Sequence, residues 1–129
     1  MLLLDTHVFL WYITADPKLP HPFREAIQDT AEEVFLSAAS VWEAVIKHAL
    51  GKLPLPGAPA EYLPRQRAAH GISPLPVDEG AMSHLAALAP LHRDPFDRLL
   101  VAQAIQHGLT IATCDPDIAA YPVTLLPAE

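Results

Sequence analysis

At 129 residues, with 51% hydrophobic and only 18% charged side chains, the chain suffices for one well-buried core and is too apolar to be disordered. Fifteen acidic against eight basic residues give a net charge of −7, which speaks against a simple basic surface for nucleic acid. The single cysteine, Cys114, excludes an internal disulfide and fits a reducing compartment.

The chain opens on MLLLDTHVFLWYI, where residues 2–4 read as a buried strand ending at Asp5 and 7–14 as a helix. This stretch has no cationic leader, is interrupted by Asp5 and His7, and is too short to span a bilayer. A cytoplasmic protein with no membrane association is therefore expected. A helical pattern over 22–32 leads to a second strand, VFLS (34–37), and then to a helix over 38–50. LPLPGAP (53–59) reads as a loop between elements rather than a domain linker, and a helix follows over 59–70. ISPLPV (72–77) is a third strand, whose two prolines suit only a sheet edge. Helices over 78–89 and 95–107, a fourth strand at LTIATC (109–114) and a short last one at PVTLL (122–126) complete the series. Strands separated by helices predict βαβ units: an α/β fold with a mostly parallel sheet covered on both faces, in one domain over 1–129. No internal repeat is present.

In open parallel sheets, ligands bind beyond the carboxyl ends of the strands. Asp5 follows the first strand and Asp115 the fourth, and each also reads as the N-cap of the next helix. For Asp115 the cap is attractive because Pro116 would occupy the first helical position. Two aspartates at one sheet edge nevertheless point to a shared acidic site. In HRDPFDRLL (92–100), Asp94 followed by Pro95 is a helix start with Asp94 as its cap. Asp97 then falls in line with Leu100, Val101, Ala104 and Ile105, on the apolar stripe opposite Arg98, Gln103, Gln106 and His107. A carboxylate on a core face is expensive to bury alone. It must cap its own helix, pair with an arginine or hold a cation, and the neighbouring acids favour the cation. Glu43 lies at the polar border of a helix whose apolar side is Ala39, Trp42, Ile46, Ala49 and Leu50. Spacing alone assigns it to an ion pair with Lys47 or a capping box with Ser40. The seven histidines (7, 21, 48, 70, 84, 92 and 107) are scattered without zinc-site spacing, and each reads as an ordinary surface or core residue. No glycine-rich phosphate loop and no GxSxG element occurs.

Four segments together, LLLDTHVFLW (2–11), SAASVWEAVIKHALGKL (37–53), HRDPFDRLLVAQA (92–104) and TIATCDPDI (110–118), resemble a PIN-domain ribonuclease of the VapC toxin type. The resemblance implies a three-layer, Rossmann-like α/β/α fold with strand order 3-2-1-4-5. It implies a metal-dependent RNA endonuclease whose acidic pocket holds Mg²⁺ or Mn²⁺. The family's acids fall on Asp5, Glu43, Asp97 and Asp115, with Asp5, Asp97 and Asp115 as metal ligands and Asp117 as an outlying candidate. Glu43 enters the set through the resemblance alone. RNA is the implied substrate, a cognate antitoxin the implied partner, and a homodimer the implied assembly. An acidic, partly apolar cleft near Trp11 and Tyr12 would suit an amphipathic antitoxin helix carrying an arginine. Carboxylates are hard oxygen donors suited to such ions, and a pocket that gathers acids around a cation makes the net charge of −7 easier to accept. Lys47, Lys52, Arg65, Arg67, Arg93 and Arg98 are available for substrate phosphates. A haloacid-dehalogenase-type phosphatase would need a second aspartate where His7 stands. A receiver domain would need a lysine at a late strand end, whereas the lysines are 18, 47 and 52. A PIN fold kept only for protein binding would not need the complete acidic set.

Overall fold

Leu2, Leu3 and Leu4 are all buried, the mark of a strand covered on both faces. In the computed structural model, which describes residues 1–129, they form the central strand β1 (Leu2–Leu4). β1 is flanked in parallel by β2 (Val34–Ser37) and β4 (Thr110–Ala112), in the registers Leu3↔Phe35 and Leu3↔Ile111. β3 (Ser73–Leu75) and β5 (Thr124–Leu125) form the edges, so the five-stranded, all-parallel sheet has the order β3-β2-β1-β4-β5. Pro74 sits in edge strand β3, where its missing N–H leaves no ladder position empty inside the sheet.

The helices are α1 (Thr6–Ile13), α2 (His21–Gln28), α3 (Ala38–Ala49), α4 (Pro59–Ala69), α5 (Gly80–Ala87), α6 (Pro95–His107) and α7 (Pro116–Ala119). Side-chain alternation along β1 separates two cores. Leu2 and Leu4 pack with Val8 and Phe9 of α1, Phe23 of α2 and Leu63 of α4. Leu3 points to the other face, among Leu100 and Val101 of α6 and Ile118 of α7. The expected three-layer α/β/α architecture and strand order are both present. β1, β2 and α6 have the expected bounds, whereas several other elements are shorter than the pattern predicts: α2 ends at Gln28 because the Asp29 side chain accepts from Ala31 N–H at 3.0 Å, turning the chain out of the helix.

Two helix faces depart from the sequence reading. Gln103, expected on the polar face of α6, is fully buried, whereas Ile105 is 37% exposed. α6 is covered by the sheet and also by α5, whose Ala81 and Leu85 pack with Leu99, so it has no single apolar stripe. Gln103 is tolerated there because Ser37 Oγ donates to its Oε1 at 2.5 Å and its Nε2 donates to the Pro76 carbonyl at 3.1 Å. Gln103→Leu is expected to destabilise the fold by about 1–3 kcal/mol, because it strands a buried hydroxyl and a carbonyl. Urea unfolding checks this, and a neutral or stabilising result would mean that the amide is dispensable.

On α3 the large apolar residues assigned to the core side lie outward: Trp42 is 55% exposed and Leu50 63%. The buried line is Ala39, Ser40, Glu43 and Ala44. Here side-chain volume misled the reading, because the polar line is satisfied by Thr6 of α1 and by Lys47 of α3 itself.

Candidate active site

The strand order reverses at β1 and β4, and the loops at their carboxyl ends are where a doubly wound sheet leaves a crevice. Asp5 leaves β1 there. Its backbone opens α1, accepting from Phe9 N–H at 3.0 Å, but its side chain makes no capping bond. Instead Thr113 Oγ1 donates to Asp5 Oδ2 at 2.7 Å. The same threonine oxygen accepts from Asp115 N–H at 3.0 Å, so Thr113 ties the ends of β1 and β4 together. Sequence reasoning did not single out Thr113, although its place two residues before Asp115 was the available signal. Asp115 does act as a cap, Oδ1 accepting from Asp117 N–H at 2.9 Å at the start of α7.

Glu43 arrives from α3 and is 2% exposed. The Thr6 hydroxyl donates to its Oε1 at 2.8 Å and lies 2.9 Å from Ser40 Oγ. Lys47 Nζ pairs with Oε2 at 2.5 Å. The ion pair read from spacing is therefore formed, but the capping box is not, since Ser37 caps α3 by accepting from Ala39 N–H. Burial would lower the Lys47 pKa, but the hydrogen bond and charge of Glu43 outweigh it, leaving the ammonium above its ordinary value.

Asp94 caps α6 as expected, its Oδ1 accepting from Phe96 N–H at 2.8 Å and Asp97 N–H at 3.2 Å. One turn in, Asp97 is 7% exposed. Burial pushes its pKa up to about 6; a hydrogen bond from His92 opposes the rise, and the charges of Asp94, Asp5 and Glu43 add to it. Asp5 is raised by burial too, with Thr113 and His7 opposing and the Glu43 charge adding. His92 Nε2 lies 2.8 Å from Asp97 Oδ2, and Nδ1 faces Asp117 Oδ2 at 3.7 Å. His92, read from sequence as ordinary, is thus part of the acidic cluster, and its position five residues before Asp97 across a helix start was the only hint.

Asp5, Glu43, Asp94, Asp97 and Asp115 line one cleft of about 360 Å³, with Lys47 as the only lysine or arginine in the lining. Asp117 stays outside this lining. Ligand atoms of His92, Asp94 and Asp97 fall within 4.8 Å of one another, and so do those of His92, Asp115 and Asp117. Asp97 and Asp115 each engage one carboxylate oxygen in side-chain hydrogen bonds within the protein, whereas Glu43 engages both of its own. A donor set of hard carboxylate oxygens, only partly consumed internally, suits Mg²⁺ or Mn²⁺ far better than a thiophilic metal.

A doubly wound parallel domain with carboxylates from four elements facing one switch-point cleft defines an acidic-site α/β protein. The chain belongs to the PIN domain family, which matches residues 2–123. Over 64 residues it is 44% identical to Ribonuclease VapC16 of Mycobacterium tuberculosis (strain ATCC 25618 / H37Rv). That stretch is 50% of this chain and 45% of the relative, so less than half of the relative's length is spanned. Among solved structures, FitAcB from Neisseria gonorrhoeae is 26% identical, with a TM-score of 0.66 over 99% of this chain and 98% of its own. FitAB bound to a DNA fragment is 24% identical, with a TM-score of 0.69 over 99% and 95%. VapBC2 from Rickettsia felis, bound to a DNA fragment from its promoter, is 14% identical, with a TM-score of 0.72 over 96% of both chains. At these last two identities the likeness is one of fold.

Proposed function

We propose that this chain is a divalent-metal-dependent endoribonuclease that hydrolyses RNA phosphodiester bonds as the toxin of a toxin–antitoxin pair. The observation that carries the reading is the arrival of Asp5, Glu43, Asp97 and Asp115 at one cleft from separate parts of the chain. The likeness to a ribonuclease supports the activity. Asp5, Asp97 and Asp115 would hold Mg²⁺ or Mn²⁺, which when bound supplies Lewis acidity toward phosphate and a more acidic water. Glu43 completes the catalytic set. Thr6 holds one of its oxygens, and the other pairs with Lys47 at the rim, where an ammonium within an acidic cleft can meet a substrate phosphate. Asp94, engaged as a helix cap, stays structural.

Membership of the PIN family and the likeness to a VapC ribonuclease support a cognate antitoxin as partner. Trp11, in the cleft lining, offers an apolar contact beside the acids for an inserted helix bearing an arginine. Trp42, Val45 and Ile46, exposed on α3, and Leu50 at its C-terminal cap supply apolar surface for a homodimer. No helix is long and apolar enough to cross a membrane, and the proposal places the protein, as one domain, in the cytoplasm.

The test is incubation of the partner-free chain with end-labelled RNA in Mn²⁺, Mg²⁺ or EDTA. Internal cleavage that requires the metal and stops on adding excess antitoxin is expected. Hydrolysis of an aryl phosphate with RNA left intact would support a phosphatase instead. No hydrolysis of either would leave a binding module.

A further inference from the structure

The loop between α5 and α6 carries His92, and three contacts fix it. The backbone N–H of His92 donates to the Tyr121 hydroxyl at 3.0 Å. Arg98 of α6 donates to that hydroxyl at 3.2 Å and to the Ala89 carbonyl at 3.1 Å. Tyr121 is itself 3% exposed, in the segment after α7, so one buried phenol joins the loop to the first turns of α6. The His92 ring is thereby presented to Asp97, with Nε2 2.8 Å from Oδ2.

We propose that His92 is a positioning residue for the metal site: it holds the carboxylate of Asp97 in its binding orientation, with Tyr121 as its anchor. The inference rests on Asp97 being a metal ligand, as read above. An aspartate carboxylate turns about a broad, roughly two-fold torsion, so an unpartnered one samples many orientations. An N–H directed at Oδ2 selects one of them and leaves Oδ1 for the ion. Partners of this kind commonly change metal affinity by about 10–100-fold when removed. The neutral Nε2–H tautomer and the imidazolium both supply the required donor, so the role does not depend on protonating the ring. The requirement is a donor at the Nε2 position, which a glutamine amide also reaches.

Mn²⁺ binding by isothermal titration at pH 7.5, together with RNA cleavage across a Mn²⁺ series, tests this on the whole chain. His92→Leu is expected to weaken Mn²⁺ binding by about 10–100-fold. His92→Gln should recover most of the loss. Tyr121→Phe should weaken binding in the same direction, by less. Saturating Mn²⁺ should return cleavage by His92→Leu to near the wild-type rate, which distinguishes positioning from direct participation in the chemistry. Equal Mn²⁺ affinity in wild type and His92→Leu would overturn the proposal. So would a glutamine variant as weak as leucine and not rescued by excess metal, which would make His92 a ligand itself. Should His92→Leu fail to fold by circular dichroism, the comparison of His92→Gln and Tyr121→Phe with wild type decides: losses in the order given support the role, and a glutamine variant weaker than Tyr121→Phe refutes it. Wild type that binds no Mn²⁺ would instead refute the metal site, and this inference with it.

Discussion

Asp97→Asn is expected to lower RNA cleavage by orders of magnitude at saturating Mn²⁺ while leaving the fold intact. The amide keeps the volume of the carboxylate but removes its charge, and metal-assisted charge stabilisation is commonly worth several kcal/mol, at about 1.4 kcal/mol per tenfold. The metal-free fold should not suffer at pH 7.5. Asp97 is buried among Asp94, Asp5 and Glu43, and that environment already disfavours its charged form. Asp94, three residues away, should behave oppositely. Its oxygen accepts from two backbone N–H groups at the start of α6. Asparagine caps nearly as well, so Asp94→Asn should be mild, while Asp94→Ala should lose about 0.5–2 kcal/mol with much of the specific activity retained. Cleavage assays and thermal melts of the three variants decide the matter. An Asp94→Asn variant as inactive as Asp97→Asn would place both acids in the metal site.

Millimolar Mn²⁺ is expected to raise the melting temperature, and to do so far more at pH 7.5 than at pH 5.5. Ligand at a hundredfold excess over its dissociation constant stabilises the state it binds by about 2.7 kcal/mol, or about 10 °C for a domain of this size. The pH sense follows from the two aspartates. Asp5 and Asp97 are raised in the folded protein, Asp97 to about 6, so between about 4 and 6 the folded state binds more protons than the unfolded chain. The Asp97 contribution to metal-free stability is complete below that window and is lost as pH rises through it, and that of Asp5 is lost as pH rises through its own folded pKa. His92 is also raised, chiefly by its hydrogen bond to Asp97 with burial opposing, and its contribution likewise fades as pH rises through its folded pKa. Metal requires ionised carboxylates, so it competes with those protons and offsets the loss only at higher pH. Scanning calorimetry with and without Mn²⁺ at the two pH values checks this. An equal rise at both, or none at either, would count against a carboxylate metal site.

Much of the fold was legible in local patterns. Three consecutive leucines before Asp5 announce a strand buried on both faces, because only parallel strands between helix layers dispense with polar alternation. Asp94-Pro95 and Asp115-Pro116 announce helix starts, because proline needs no N–H partner there and aspartate supplies an acceptor. Both caps form. The carboxyl-end placement of Asp5 and Asp115 follows from the same strands, and with it the place of the cleft.

By itself, then, the sequence determined the strands, the helix starts, the edge position of the proline-bearing strand and the side of the sheet where acids would gather. These depend on interactions within a few residues, or on the twofold repeat of a strand. Helical spacing already placed Asp97 on a core face, but tertiary structure decided the burial of Glu43 and Gln103 and the recruitment of His92. Glu43 is enclosed because Thr6, 37 positions away, and Lys47 satisfy its oxygens. Gln103 is enclosed because Ser37, 66 positions away, and the Pro76 carbonyl meet its amide. His92 reaches Asp97 because Tyr121, 29 positions on, holds its backbone. Helical periodicity ranks faces by the apolarity of their own side chains. The energy of burying a polar group is instead set by partners that only the folded chain brings within hydrogen-bonding distance.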